Sequence, residues 1–449
     1  VTPQPPPSKE NQPVKDRTDT PQDVVVVGGG TAGFGAAVAA GRQGLRVTLL
    51  EAGPRIGGVM AFCPGMPWGG GYPCDTSIGG LMQELTDRLV AMDPPAAEVR
   101  PCALDNFGPE IVYDPDIAQM TMFDMLEDAG VTLRLNTTVL SPEMAGNRID
   151  AINVADRHGL HVIRPGMVID CSGDGDLSAR AGVPHDLGDA TGNMMGVTLS
   201  FLMVNAPWDT VFAESDPYFR RHGARGVAEG RLHPDLAQIY MMKGFHRDTV
   251  FCNSVVIRGV DGTDPASVAR ATQDGRRRVR ALTAFLRDSV PGFEQAWMTA
   301  LGPTVGVRET RKLHGLYRLS AQDVAAARKF PDGIVACTNP IDDVMRGDGA
   351  MTHDAAVNGA AFYTLPFRSL VPERIENLLF AGRIVSADPV AFASIRGMPQ
   401  CMAMGQATGT AAAMALRAGG TVQALDPVAV ATAMQAQGVR GLGMTPLVA

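Results

Sequence analysis

Asp23-Val24-Val25-Val26-Val27-Gly28-Gly29-Gly30-Thr31-Ala32-Gly33, running on into Phe34-Gly35-Ala36-Ala37-Val38-Ala39-Ala40-Gly41, is the stretch that decides the fold of this chain. Four consecutive valines without a polar interruption are the pattern of a parallel strand buried on both faces. Glycines then turn the chain into a helix of small residues. A second strand, Arg46-Val47-Thr48-Leu49-Leu50, ends in Glu51, twenty-three positions after Gly28. Strand, glycine turn, helix, strand and terminal acid together form a dinucleotide-binding βαβ fingerprint. Gly28 makes the tight turn, Gly30 lets a pyrophosphate approach the backbone, and Gly33 lets the helix pack on the sheet. Thr31 and Ala32 open that helix, whose free N–H groups and positive dipole end face the pyrophosphate. Glu51, with Ala52 beside it, is placed to accept hydrogen bonds from ribose hydroxyls.

Which dinucleotide is bound follows from Glu51-Ala52-Gly53-Pro54-Arg55-Ile56-Gly57-Gly58. This acid–spacer–Gly-Gly pattern resembles the FAD-dependent oxidoreductases of the fumarate reductase, succinate dehydrogenase and glutathione reductase structural class. The resemblance continues at Asp170-Cys171-Ser172-Gly173-Asp174-Gly175-Asp176, which looks like the second flavin motif of that class with Cys-Ser in place of Ala-Thr. It extends to Asn377-Leu378-Leu379-Phe380-Ala381-Gly382-Arg383 and to Ser394-Ile395-Arg396-Gly397-Met398-Pro399-Gln400-Cys401-Met402, with a small-residue helix following. That ending resembles one broad FAD-dependent oxidoreductase family, as does the block Gly306-Val307-Arg308-Glu309-Thr310-Arg311. For FAD the resemblance implies Gly57, Gly58, Val139, Ser172, Gly173, Gly382, Arg383, Met398 and Cys401, alongside the fingerprint residues. Val139 would meet the adenine from a strand predicted over 131–140. The helix from Pro399 would aim its positive end at the flavin pyrimidine. With no His-Gly flavinylation pattern in the sequence, FAD is expected to be non-covalent.

The expected fold class is α/β: a Rossmann-like FAD-binding domain of the glutathione reductase class plus a mixed, largely antiparallel α+β substrate domain. The boundaries read as a disordered Pro-rich leader over 1–22 and a discontinuous FAD domain at 22–185 and 372–425. A flavin-side insertion spans 59–109, a substrate or cap domain 186–371, and a C-terminal helix and tail 426–449. Asp114-Pro115 is the expected start of one helix, Asp114 capping it and Pro115 taking its first position.

With 449 residues, 45% of them hydrophobic, the chain is long enough for two or three domains. A net charge of −8 argues against a general nucleic-acid binder. The only basic run, Arg276, Arg277, Arg278 and Arg280, reads as the solvated face of a helix. The seven cysteines have no metal-ligand spacing and read as reduced thiols, so no metal and a cytoplasmic setting are expected. No apolar run reaches membrane-spanning length.

Three absences shape the expected chemistry. There is no second GxGxxG for a built-in NAD(P)H domain, no closely spaced redox Cys pair, and no ferredoxin-type Cys cluster. Cys63 and Cys74 stand eleven positions apart. What remains is direct hydride exchange between flavin N5 and a small organic substrate, with a separate electron acceptor or donor. The candidate catalytic residues are Arg308, Arg396, His353 and Tyr72. Three have a plainer alternative: an ion pair of Arg308 with Glu309 or another acid, an ordinary loop or core residue for His353, an anchoring hydrophobe for Tyr72; Arg396 is expected at the flavin edge. Cys401 reads as a small packing residue near the flavin rather than a nucleophile. Two other readings stay open. Asp170 to Gly175 with Ser178 and Arg180 faintly echoes the acidic-Gly motif of aromatic hydroxylases, which would make the chain a monooxygenase using transient NAD(P)H. FAD could also be a structural element of a non-enzymatic protein. Oligomeric state, homodimer included, is left open by the sequence.

Overall fold

The computed structural model describes residues 22–102, 107–214, 216, 218–347, 349, 352–354, 357 and 361–442, the side chain of residue 353 excepted. The leader and the last residues of the tail lie outside that range.

The valine run forms β1 (Gln22–Val27), and the glycine turn leads into α1 (Thr31–Gly41) and β2 (Val47–Leu50). With β3 (Thr132–Arg134), β4 (Pro165–Asp170) and β5 (Leu378–Phe380) they build a five-stranded sheet in the order β5-β4-β1-β2-β3. Every pairing in it is parallel. Alternation along β1 feeds two cores. Val24 and Val26 pack with α1 and the long helix α2 (Met398–Ala418), while Val25 and Val27 pack with Ile149, Ile152 and Val154 of an antiparallel three-stranded layer. That double burial is why the strand carries no polar residue.

The strand predicted over 131–140 is two strands. Asn136 adopts a left-handed φ of 51°, its N–H donates to Gly53 O at 3.0 Å, and the Thr137 N–H donates to Glu51 O at 3.0 Å. This turn ends β3 in the parallel sheet and sends Thr138–Ala145 into the antiparallel layer. The Asp114 cap forms as expected, its carboxylate accepting from Asp116 N and Ile117 N at 3.0 Å each.

A second four-stranded sheet runs Met241–Lys243, Val250–Ile257, Val197–Val204, Trp297–Leu301, all antiparallel. The helix Pro265–Ser289 covers it, Gly275 letting the helix approach Leu199 closely. Arg276, Arg277 and Arg280 face solvent from this helix, whereas Arg278 turns inward to Asp235 and Asp274 at 3.1 and 2.7 Å. Residues 319–371 contribute Leu319, Phe330, Ile334, Leu365 and Phe367 to the same core as α1 and α2. Among the described residues no helix is long and apolar enough to cross a membrane, and all seven cysteines are free thiols.

Candidate active site

At the carboxyl ends of β1 and β4 the chain leaves in opposite directions, which opens a crevice at the sheet's switch point. Gly28 (φ 95°) sits so near β4 that a Cβ there would lie 2.5 Å from Cys171 O. Gly33 is tighter still, because its Cβ would fall 1.7 Å from Gly28 O. Gly30 differs: the nearest atom to a Cβ there is Gly58 Cα at 3.9 Å, so open space lies against its backbone. Gly57 and Gly58 bring the next loop to this spot, Gly57 bridging to Gly30. The α1 helix begins without a side-chain cap, which leaves its first N–H groups pointing into that space.

The crevice continues into a cleft lined by Glu51, Ala52, Val139, Ser172 and Asp174. The Glu51 carboxylate accepts from Gly29 N and Gly53 N, both at 2.7 Å, which fixes its position and leaves each oxygen a further lone pair. Across the cleft the buried Asp170 accepts four bonds, from Ser172 N and Oγ and from Ser178 N and Oγ, at 2.6–3.0 Å. It thereby ties down the turn holding Ser172 and Gly173. Arg383 pairs with Asp174 at 2.7 Å and lies over Gly173, while Gly382 (φ 89°) abuts Ala32.

The small residues of α1 and α2 let the two helices pack backbone to backbone. A Cβ on Gly405 would lie 1.9 Å from Ala32 O, and one on Gly409 would lie 2.3 Å from Ala36 O. Both contacts advance by four residues on each helix, so the helices run parallel. Gly405 packs between Ala32 O and Ala36 N, as Gly35 packs between Met402 O and Gln406 N, so Gly405 is level with about Phe34, three residues into α1. Since α2 begins seven residues before Gly405, at Met398, its amino end projects about four residues, or about 6 Å, beyond that of α1. Gln400 anchors this end by donating to Gly70 O at 2.7 Å.

Where α2 begins, a cavity of about 210 Å³ lies between the 59–69 loop, the antiparallel sheet and the Ile341–Asp343 strand. Arg308, Arg396 and Met398 all line it. Arg396 Nη2 donates to Asp342 Oδ2 at 2.7 Å, and its buried Nε has no partner among the described residues. Arg308 Nη1 donates to Gly196 O at 2.9 Å and to Thr198 Oγ1 at 2.6 Å. Burial, and after it the nearby Arg396 charge, push the Arg308 guanidinium down to about 10, which leaves it protonated at neutral pH.

The family profile described as FAD dependent oxidoreductase matches residues 23–436. The chain belongs to that family. It is therefore a flavoenzyme with FAD as cofactor, and the reading of FAD as a structural element of a non-enzymatic protein falls away. Among solved structures, p-nitrophenol 4-monooxygenase from Pseudomonas putida DLL-E4 is similar over 92% of this chain and 84% of its own, at 14% identity and a TM-score of 0.52. A geranylgeranyl bacteriochlorophyll reductase-like protein from Thermoplasma acidophilum covers 93% of this chain and 84% of its own, at 13% identity and a TM-score of 0.48. At 14% identity the likeness to the p-nitrophenol 4-monooxygenase is one of fold. Carotenoid phi-ring synthase of Chlorobaculum tepidum is 32% identical over 76 residues, which span 17% of this chain and 12% of that protein.

The residues of this flavoenzyme fit FAD. Open space against Gly30, uncapped helix amides beside it, and a fixed carboxylate at Glu51 form a cradle a Cβ would fill. The sequence-predicted catalytic residues divide. Arg308 and Arg396 meet in one cavity. The alternative partner of Arg308, Glu309, instead pairs with Lys312 and Arg346 at 2.5 and 2.6 Å. Tyr72 is absent from the cavity lining; the turn at Pro73–Asp75 swings it to Gln83, to which its hydroxyl donates at 3.1 Å. The strand carrying His353 pairs with Asp342, but the His353 side chain lies outside the described residues. Cys401 is buried, and burial pushes its thiol up to about 12, as suits a packing residue. Among the lining residues that escaped the sequence reading are Glu110, Tyr240, Asn339 and Asp342. None sits in a motif, and only the register of distant strands brings them together.

Proposed function

We propose that this flavoenzyme exchanges a hydride directly between its flavin and a small organic substrate seated in the Arg308–Arg396 cavity. The single observation that supports this most is position: the cavity adjoins the amino end of α2, about 6 Å beyond the Gly30 cradle on a parallel helix. On this reading the chain has the two-part organisation of the glutathione reductase class. Residues 22–185 and 372–425 hold FAD, the 59–109 insertion flanks the flavin, and the 186–371 segment covers the substrate.

In this proposal Gly30, Thr31, Ala32 and Gly33 receive the pyrophosphate. Glu51 and Ala52 take the ribose, and Val139, Ser172 and Gly173 take the adenine side. Gly57, Gly58, Gly382, Arg383, Met398 and Cys401 border the path to the flavin, held non-covalently. When bound, FAD supplies a hydride acceptor or donor at flavin N5. The α2 amino end stabilises negative charge on the pyrimidine side of the ring. Tyr240 lines the cavity, and its hydroxyl makes no hydrogen bond among the described residues. Burial, aided by surrounding acidic groups, drives its phenol well above the ordinary value, so it stays protonated and able to donate.

The test is anaerobic mixing of the FAD-loaded protein with candidate substrates while the long-wavelength flavin band is followed. Bleaching by an organic substrate without nicotinamide supports direct exchange. The fold likeness to a monooxygenase favours a second reading, in which NADPH reduces the flavin and oxygen reacts afterwards. Rapid bleaching by NADPH, with none by any organic substrate, would replace the first reading by the second.

A further inference from the structure

Charge balance inside the cavity points to the substrate class. Among the described residues four charged side chains line it: Glu110, Arg308, Asp342 and Arg396. Glu110 is paired with Arg100 at 3.0 Å, and Asp342 with Arg396 at 2.7 Å. Arg308 forms no ion pair among the described residues. The neighbouring acid is taken, since Glu309 is buried between Lys312 and Arg346. The two bonds of Arg308 go to a backbone carbonyl and a threonine hydroxyl, both from Nη1. Its Nε and Nη2 are left without an acceptor among the described residues. Among the described residues the lining therefore carries one uncompensated positive charge.

A half-buried guanidinium that lacks an ion-pair partner is unfavourable. Holding one so in a chamber beside the flavin makes sense if the missing charge arrives with the ligand. We propose that the substrate is a small organic monocarboxylate whose charged end is bound by Arg308. Its apolar body lies against Met66, Phe107, Met242, Val344 and Met398, which line the same space. The free Nε and Nη2 edge of Arg308 matches the two oxygens of a carboxylate. A second carboxylate on the same molecule would find no free cation, because Arg396 already holds Asp342. The charge count thus selects a monoanion over a dianion. This inference rests on reading the cavity as the substrate chamber.

Binding without turnover tests it. Benzoate, benzamide and phthalate are titrated into the FAD-loaded full chain, with flavin difference spectra and calorimetry read together. Benzoate is expected to bind at least about tenfold tighter than neutral benzamide or dianionic phthalate, a difference of about 1.4 kcal/mol. Arg308→Gln should abolish the benzoate preference while benzamide affinity stays within about threefold. Arg308→Lys should restore part of it. Equal affinities for benzoate and benzamide in the wild-type protein would overturn the proposal, even if Arg308→Gln fails to fold. So would tighter binding of phthalate, or an intact preference in Arg308→Gln. Calorimetric binding of benzoate with no change in the flavin spectrum would overturn the chamber reading itself, and the proposal with it.

Discussion

Two glycines three positions apart should respond to the same substitution in opposite ways. At Gly33 an added Cβ would lie 1.7 Å from Gly28 O, half the 3.4 Å at which ordinary contact begins. Relief requires moving backbone: either the glycine turn or α1, itself locked against α2 through Gly405. Gly33→Ala should therefore sit at the upper end of overpacking costs, about 1–3 kcal/mol, lowering the apoprotein Tm by roughly 1–3 °C at this chain length. At Gly30 the same methyl meets nothing nearer than 3.9 Å, and the backbone (φ −67°, ψ −175°) suits alanine. Gly30→Ala should leave the apoprotein unchanged, or more stable by about 0.4–1 kcal/mol through its less flexible unfolded chain. Its effect should appear only on FAD. A methyl in the cradle keeps a phosphate oxygen from the α1 amides, and losing one charge-assisted bond at about 1.5–3 kcal/mol weakens binding roughly 10–100-fold. Thermal melts of both apoproteins, with FAD titrations followed by flavin fluorescence quenching, separate the two cases. Threefold or smaller loss of FAD affinity in Gly30→Ala would refute the placement of the pyrophosphate. An apoprotein Tm drop matching that of Gly33→Ala would refute the geometry.

Asp342→Asn releases Arg396 and raises the uncompensated charge of the cavity lining by one, so benzoate affinity should rise severalfold, as calorimetry will show. Asp170→Asn replaces an acceptor of four hydrogen bonds with a side chain that cannot accept them all. Urea unfolding should show a loss of about 2–4 kcal/mol. Cys401, its thiol pushed up to about 12 by burial, carries almost no thiolate at pH 8. Mass spectrometry after iodoacetamide treatment of the native protein should find it unmodified. Tyr240→Phe keeps the ring and removes the proton donor; substrate-driven flavin bleaching should slow by about 10²-fold or more while FAD remains bound.

The nucleotide half of this flavoenzyme was legible because its chemistry is written locally. Gly28, Gly30 and Gly33 lie within six residues, and backbone shape alone fixes what each must do. The first acid after β2 is as local, and Glu51 stands where its spacing put it, oriented by Gly29 N and Gly53 N. Where the reading failed locally, a single backbone choice was responsible. Nothing in the apolar pattern of 131–140 announces the left-handed Asn136, yet that residue divides one strand between two sheets. Tyr72 failed for a related reason, since a tight turn decides which way the ring leaves the chain.

The proposed substrate chamber is illegible for a different reason: its meaning lies in a difference of charges, not in any one residue. Arg308 and Glu309 are adjacent in sequence, and adjacency favours pairing them. In the structure the two side chains diverge, Glu309 to Lys312 and Arg346, Arg308 to the cavity. Only after Glu110 is matched with Arg100 across a hairpin, and Asp342 with Arg396 across 54 residues, does Arg308 stand out as the remainder. No window of sequence contains that subtraction. It also explains why membership of the family fixes the cofactor before the substrate. The cradle is set by glycines that any relative must keep in order to bind FAD. The net charge of the proposed chamber can instead be changed by one substitution at Asp342, which stands outside the five-stranded parallel sheet. If Asp342→Asn strengthens binding of benzoate but not of benzamide, substrate charge in this enzyme is read by a countable surplus on a fixed frame.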